Sequence, residues 1–425
     1  MARTTKTTST GAKSTKVKTT AKAKTNSCTL TIKPKVLIEN LNLLNAALGS
    51  NKQGLDRLKI EVGEAQSLFS IGGDIGVEIR HKANKTLSSA PIQVSCRQLK
   101  NLASNLDGTN QKLTLEEEEV TICNQKGTYQ HSLITYKDII PQDTSQYSPV
   151  AKVKAQEFKQ ALEKVVPFLN SDSKEITSGV CLQIRLVSPD EAENMDTDEV
   201  SLTLTGISEP GMGTVTIAVD SVETDEIGVG HRLLRRTTTE PAVTVGEDIT
   251  VILPKKAATF IASYGDDFIL SVADKSVRFE WANVQCSIQT LKGKYPDINK
   301  VKESIEGNDV EIEFNKRDLF NALKRHQVMS SEVEFKIEGS TCQLVQSTEV
   351  GSGAENIYCS NDSTETIELN LYIDYLIKIV ASIKSETVIF RLDLEPDEGE
   401  DRPTNNVLVR DDNTVYCLSQ LLAQE

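Results

Sequence analysis

Three stretches decide the fold: CRQLKNLASNL leading to KLTLEEEEVTICNQKGTYQHSLITY within residues 96–136, PKKAATFIASYG leading to FILSVADKSVRFEWANVQCSIQTL within 254–291, and LYIDYLIKIVASI leading to TVIFRLDLEPDEGEDRPTNNVLVRDDNTVYCLSQLL within 371–422. Each is a helix-like apolar stretch followed by three alternating strands. Repetition inside one chain outranks any single motif as a guide to architecture. A chain of similar α+β units points to an assembly whose function is its shape.

Upstream of each block lies a second, comparable half. PKVLIENLNLLNAAL (34–48) places Leu37, Leu41, Leu44 and Leu48 along one helical face, with Pro34 tolerated in the first turn. SLFSIGG and VEIRHK then alternate with the period of strands. In the middle third, VAKVKAQEF runs into a helix with Phe158, Leu162 and Val165 on one side, and VCLQIRLV and VSLTLTGIS read as strands. PDEAENMDTDE (189–199) has no periodicity and reads as an acidic surface loop. In the last third, DVEIEFNKRDLFNALKRH is a strand entering a helix with Leu319, Phe320 and Leu323 inward, followed by the alternating VEFKIEG and TCQLVQS. Each unit therefore holds two helices and roughly eight strands in two half-units, six helices in all. The expected fold class is α+β, three similar units with helices packed on antiparallel sheets. The expected boundaries are a disordered basic tail at 1–27 and units at 28–147, 148–301 and 302–425.

The tail carries six Lys, one Arg and no acid, and its only large aliphatic residue is Val17. Such a segment cannot bury enough apolar surface to offset its ordering entropy. No apolar run approaches the ~20 residues of a membrane span, and the N-terminus lacks the apolar core of a secretory signal. The eight cysteines are scattered and form no CxxC pair. That usage suits reduced, buried thiols in a cytoplasmic compartment.

The formal net charge of −14 argues against nucleic acid when taken alone, but its distribution says more. The six helix windows hold fourteen basic and five acidic residues, and the tail adds seven positive charges, so strands and loops are strongly acidic. If the helices share one surface, that surface attracts phosphate while the rest repels it. The plainer reading is that Lys and Arg are good helix formers and helices collect them.

Catalytic signatures are missing: there is no GxxxxGK[ST], HExxH, GxSxG or GxGxxG. His81, His131, His231 and His326 stand apart with no ligand spacing, so neither metal nor cofactor is expected. The glycines of EPGMG lack the Lys of a phosphate loop and read as a turn.

With repeats and segregated charge in hand, residues 28–425 resemble the bacterial sliding clamp, the beta subunit of DNA polymerase III. IQTLKGKYPDINKV (288–301) is similar to the clamp segment that closes the second domain and enters the linker. SAPIQVSCRQLKNLASNL and DITVILPKKAATFIASYG resemble the strand-then-helix elements of its first and second domains. FSIGGDIGVEIRHK resembles paired strands of the first.

The resemblance implies a head-to-tail homodimer, a cytoplasmic, nucleoid-associated ring of six domains around duplex DNA. Its helices would line the hole. Candidate DNA contacts are then Arg97, Lys100, Lys154, Lys159, Lys164, Lys255, Lys256, Lys316, Arg317, Lys324, Arg325 and Lys378, with Lys52 and Lys174 in loops after first helices. It also implies a pocket between the second and third domains for short peptides of polymerase and clamp-loader subunits. By position this pocket would use Thr177, Thr205, Gly206, Pro296, Val301, Leu418 and Gln420.

The chain departs from the family at that pocket. TGISEPGMG (205–213) stands where Thr-Asp-Gly-His-Arg-Leu is usual, and the ending LSQLLAQE replaces Met-Pro-Met-Arg-Leu. A GHRL string at 230–233 is either a shifted equivalent or chance. The leading expectation is a non-enzymatic processivity factor that tethers the replicative polymerase. The alternative is a clamp-fold paralogue acting as an interaction protein or decoy. A carboxylate-dependent nuclease is a distant third.

Overall fold

The structure, a computed structural model, describes residues 28–48, 56–63, 66–82, 91–106, 111–116, 118–124, 130–136, 146–171, 175–185, 200–220, 222, 249–297, 310–349, 351–361, 363, 365–392 and 406–421. The tail at 1–27, the 189–199 stretch and the GHRL string lie outside them. Within them one succession of elements, β-α-β-β-β-β-α-β-β-β, occurs three times.

Unit 1 comprises β1 (Cys28–Ile32), α1 (Pro34–Leu48), β2 (Arg57–Val62), β3 (Gln66–Ile71), β4 (Ile75–Lys82), β5 (Ile92–Ser95), α2 (Cys96–Ser104), β6 (Gln111–Leu115), β7 (Glu119–Asn124) and β8 (Gln130–Ile134). Unit 2 comprises β9 (Ser148–Val153), α3 (Ala155–Val165), β10 (Gly179–Arg185), β11 (Val200–Ser208), β12 (Gly211–Val219), β13 (Ile249–Pro254), α4 (Lys255–Ala262), β14 (Phe268–Ala273), β15 (Ser276–Trp281) and β16 (Val284–Gln289). Unit 3 comprises β17 (Val310–Asn315), α5 (Lys316–His326), β18 (Glu332–Glu338), β19 (Thr341–Thr348), β20 (Gly351–Asn361), β21 (Ile367–Tyr372), α6 (Ile373–Ser382), β22 (Thr387–Leu392), β23 (Val407–Asp411) and β24 (Thr414–Leu418).

The α+β expectation holds, with six helices among the described residues. Leu37, Leu41, Leu44 and Leu48 are buried, as are Phe158, Leu162 and Val165 and Leu319 and Leu323. Phe320 also packs against the unit 3 core, less deeply than Leu319. It is half-buried, because it lies one helical step from Leu319 at the rim of the apolar stripe, with the Lys324 ammonium 5.7 Å from its ring. Helix starts follow local chemistry: Ser95 Oγ accepts from Gln98 N at α2, and Asn315 Oδ1 accepts from Arg317 N and Asp318 N at α5.

Each unit builds two four-stranded half-sheets, and these fuse across units. The sheet orders are β1-β6-β7-β8, then β5-β2-β3-β4-β16-β15-β14-β9, then β13-β10-β11-β12-β24-β23-β22-β17-β20-β19-β18-β21. Antiparallel pairing of β4 with β16 joins units 1 and 2, and of β12 with β24 joins units 2 and 3. The core follows this connectivity. Units 1 and 2 share one continuous apolar cluster, whereas unit 3 has its own, into which unit 2 sends Phe168. Seven cysteines are buried, Cys123 is half-buried, and all eight are free thiols. No helix among the described residues is long and apolar enough to cross a membrane.

Candidate nucleic-acid interface

The helices form one continuous row. α2 packs on α1, α1 on α4, α4 on α3, α3 on α6, and α6 on α5. The sheets support this row from one side, with alternating burial along strands such as β2 and β18. The basic side chains of the helices are thereby spaced along this row.

These side chains fall into two sets. Lys159, Lys255 and Arg317 are exposed and make no ion pair with a described residue. Lys324 and Lys378 are exposed too, with Lys324 Nζ 3.2 Å from Gln327 Oε1 and Lys378 Nζ 5.2 Å from the Tyr375 ring. Lys154 is exposed and paired with Glu157 at 3.3 Å. Arg97 and Lys100 are half-buried on α2, and Arg97 already has a partner within the protein.

The second set is already engaged. Lys164 Nζ donates to Thr414 Oγ1 at 2.7 Å across the junction of units 2 and 3, and burial lowers its pKa. Lys256 Nζ donates to the Leu48 carbonyl at 3.3 Å, tying α4 to α1. Lys316 Nζ donates to the Ile383 carbonyl. Arg325 forms a two-bonded pair with Glu355, whose hydrogen bond raises the guanidinium pKa. These four bind protein acceptors, so a phosphate would have to compete for them. Lys52 and Lys174 lie outside the described residues.

The second candidate site is the opposite face of the β12·β24 junction. Cys181, Met212, Ile252, Tyr295, Leu408 and Cys417 cluster there, with Ile176, Ile207, Leu291 and Val415 half-buried around them. Tyr295 anchors the segment after β16. Its hydroxyl lies 3.3 Å from the Gly179 carbonyl and 3.4 Å from the Thr205 carbonyl, and burial raises its pKa.

The expected pocket residues distribute unevenly about this cluster. Thr205 is buried with its hydroxyl 3.1 Å from that of Thr214, and Leu418 is buried in the unit 3 core. Gly206 is small because α3 passes over it: a Cβ there would lie 2.4 Å from the Val165 carbonyl. Gln420 Nε2 donates to the Glu368 carbonyl at 2.9 Å. Thr177 is half-buried and Pro296 exposed, while Val301 lies outside the described residues.

TGISEPGMG forms the end of β11, a two-residue turn and the start of β12. Gly211 has φ +156°, and a Cβ there would lie 2.3 Å from the Cys417 carbonyl, so close approach to β24 demands glycine. Sequence reasoning missed Tyr295, Ile176, Ile207 and Leu291 as the apolar lining. The Tyr of the Lys-Tyr-Pro-Asp run was the signal available for the first.

No family model matches the chain. In sequence it is similar to the beta sliding clamp of Buchnera aphidicola subsp. Rhopalosiphum padi, 23% identical over 167 residues. That match covers 37% of this chain and spans about 45% of the length of the relative. In structure it is similar to the DNA polymerase III subunit beta of Pseudomonas aeruginosa, with TM-score 0.75 and 14% identity over 93% of this chain and 100% of the other. The C. crescentus beta sliding clamp gives TM-score 0.74 and 18% identity, with 93% and 100% covered. The Helicobacter pylori beta clamp bound to a DNA ligase peptide gives TM-score 0.70 and 14% identity, with 93% and 100% covered. The chain thus has the sliding-clamp fold at a sequence distance that marks it as divergent.

Proposed function

We propose that this divergent sliding-clamp fold works as a clamp. Two copies close head to tail into a ring around duplex DNA and tether the replicative polymerase, with no catalytic site of their own. The observation that carries this reading is a pair of complementary unpaired edges. At both junctions within the chain, the fourth strand of one unit (β4, β12) pairs with the last strand of the next (β16, β24). The same two strand types are left over at the ends, β20 in unit 3 and β8 in unit 1.

Among the described residues, β8 has no strand on its outer side, and neither has the Gly351–Tyr358 stretch of β20. The exposed large hydrophobics gather there. Ile134 (87% exposed) is on β8, Tyr358 (72%) is on β20, and Val328 (86%) follows α5, which packs on β20. Apolar unpaired edges of this kind call for a partner. A head-to-tail contact that repeats and closes gives a ring. The helix row ends at the same two places, with α2 beside β8 and α5 beside β20, so a second copy continues it.

In such a ring the exposed Lys159, Lys255, Arg317, Lys324 and Lys378 supply mobile, sequence-independent phosphate contacts that permit sliding. The apolar cluster around Tyr295 receives peptide segments of polymerase and clamp-loader subunits. The second reading, a clamp-fold interaction protein or decoy, is favoured by the burial of Thr205 and Leu418 and by the tight β11–β12 turn. Loss of polymerase-peptide binding in an intact ring would select it.

The test is sedimentation equilibrium with small-angle scattering on the wild type and on Ile134→Asp. The expected results are a mass near twice 46.7 kDa with a hollow-ring distance distribution, and a monomer for the variant. A wild-type monomer at high concentration, or a dimer indifferent to Ile134→Asp, would overturn the ring.

A further inference from the structure

The two junctions inside the chain give the register of the third. At the first, Cys286 lies opposite Val77 and Ile288 opposite Ile75. At the second, Tyr416 lies opposite Gly213 and Leu418 opposite Gly211. Each is locked at one end by the same device. Asn283 exchanges backbone and side-chain bonds with Arg80, and Asn413 does so with Thr216.

The equivalent positions on the open edges follow from pairing within each unit. Cys286 faces Phe279 and Ile288 faces Val277, while Tyr416 faces Val409 and Leu418 faces Val407. On β8 the same places belong to His131, facing Ile122, and Leu133, facing Val120. On the other edge, Gly213 faces Gly206 and Gly353 faces Gln346. Helix packing gives the same equivalence. A Cβ on Gly213 would meet Phe168, three residues past α3, and a Cβ on Gly353 would meet Met329, three residues past α5.

We infer that in the closed ring His131 of one copy is seated opposite Gly353 of the second, against Met329 and beside His326, and that this seat makes each closure an acid-labile latch. The inference rests on the ring reading. Its pattern is the inner junction, where Tyr416 sits opposite Gly213 with its ring 5.7 Å from that of Phe168. Cys286 is 0% exposed and Tyr416 is 1% exposed, whereas His131 is exposed in the single chain. Closing the ring therefore moves an imidazole from water into a site that the other two junctions fill with a thiol and a phenol.

Burial disfavours the charged imidazolium, so the closed state binds fewer protons than the open one. Association is then strongest where histidine is neutral and is lost as pH falls through the range where histidine charges. The titratable and charged groups on the elements around the seat are Cys96, Arg97 and Lys100 on α2 and Glu119 and Cys123 on β7. In the second copy they are Lys316, Arg317, Asp318, Lys324, Arg325 and His326 on α5 and Glu355, Tyr358 and Cys359 on β20. Arg97, Lys100 and Lys324 share the sign of an imidazolium and oppose it. Glu355 is held by Arg325. The Gln346 amide donates to the Glu332 carbonyl, which turns its Oε1 to accept from His326 Nδ1 at 2.9 Å.

The experiment measures the dimer dissociation constant by sedimentation from pH 8 to pH 5.5 for wild type, His131→Phe, His131→Tyr and His326→Gln, with far-UV circular dichroism at each pH to follow folding. Two junctions close per ring, so the wild-type constant should rise by up to about 100-fold per pH unit below the histidine range. Either substitution at 131 should flatten that rise, and His326→Gln should retain it. A dimer whose constant is the same at pH 8 and pH 5.5 overturns the latch alone. A rise that persists in both 131 variants, or vanishes in His326→Gln, overturns the assignment to His131. A monomer at every pH overturns the ring reading and the latch with it.

Discussion

Replacing Phe168 tests how unit 3 is held to unit 2. Phe168 belongs to unit 2 in sequence but is 1% exposed within the core of unit 3. Its ring centroid lies 5.5 Å from that of Tyr375 on α6 and 5.7 Å from that of Tyr416 on β24. Burying a phenyl side chain of about 200 Å² at about 25 cal/mol per Å² gives a transfer term near 5 kcal/mol as an upper estimate. Measured Phe→Ala substitutions in cores cost about 3–5 kcal/mol, cavity included. The surroundings cannot collapse easily here, because Gly213 already touches one side of the ring and β24 is pinned by Lys164. Phe168→Ala is therefore expected to destabilise by about 4 kcal/mol and Phe168→Leu by about half as much. Urea unfolding followed by circular dichroism, with the single Trp281 reporting on unit 2, separates the transitions. Unit 3 should unfold first in the alanine variant. A change below about 1 kcal/mol, or equal losses for Ala and Leu, would refute the argument that this ring joins the units.

Other expectations follow from local chemistry. Ser95→Ala removes both the cap of α2 and a 2.6 Å bond to the buried Asp56 carboxylate, so it should cost about 2 kcal/mol. Asn315→Ala removes an exposed cap only and should cost about 1 kcal/mol, which thermal unfolding of the two variants can rank. Burial pushes the Cys96, Cys181 and Cys417 thiols up to about 12. At pH 8 the native protein should therefore yield at most the half-buried Cys123 to a thiol reagent, and all eight cysteines only after unfolding; several fast native thiols would contradict the packing. Combined Lys159→Ala, Lys255→Ala and Arg317→Ala should flatten the salt dependence of DNA affinity, read as the slope of log affinity against log salt. An unchanged slope would remove these residues from the interface.

Much of the architecture was legible because burial writes itself into local periodicity. Leu37, Leu41, Leu44 and Leu48 declare α1 at helical spacing, and VEFKIEG declares β18 at strand spacing, with no need of distant residues. The basic bias of the helices was equally visible. What the sequence could not show is which lysines are committed. Lys164 and Lys159 look alike in one helix, yet the first reaches Thr414, 250 positions away, and the second faces solvent. The expected pocket suffered similarly. Thr205 and Leu418 were placed by position, but their neighbours across β12 and β24 bury both.

The sequence by itself determined the threefold unit, its strands and helices, and the separation of basic helices from acidic strands, because these depend on contacts and composition within short windows. Only the tertiary structure decided where units join, which strand edges stay open, and that His131 occupies the place of Cys286 and Tyr416. Those facts rest on pairing between strands some two hundred residues apart. Their register is set by the two-residue period of each strand together with close approaches such as Gly211 on β24, and no local window contains both partners.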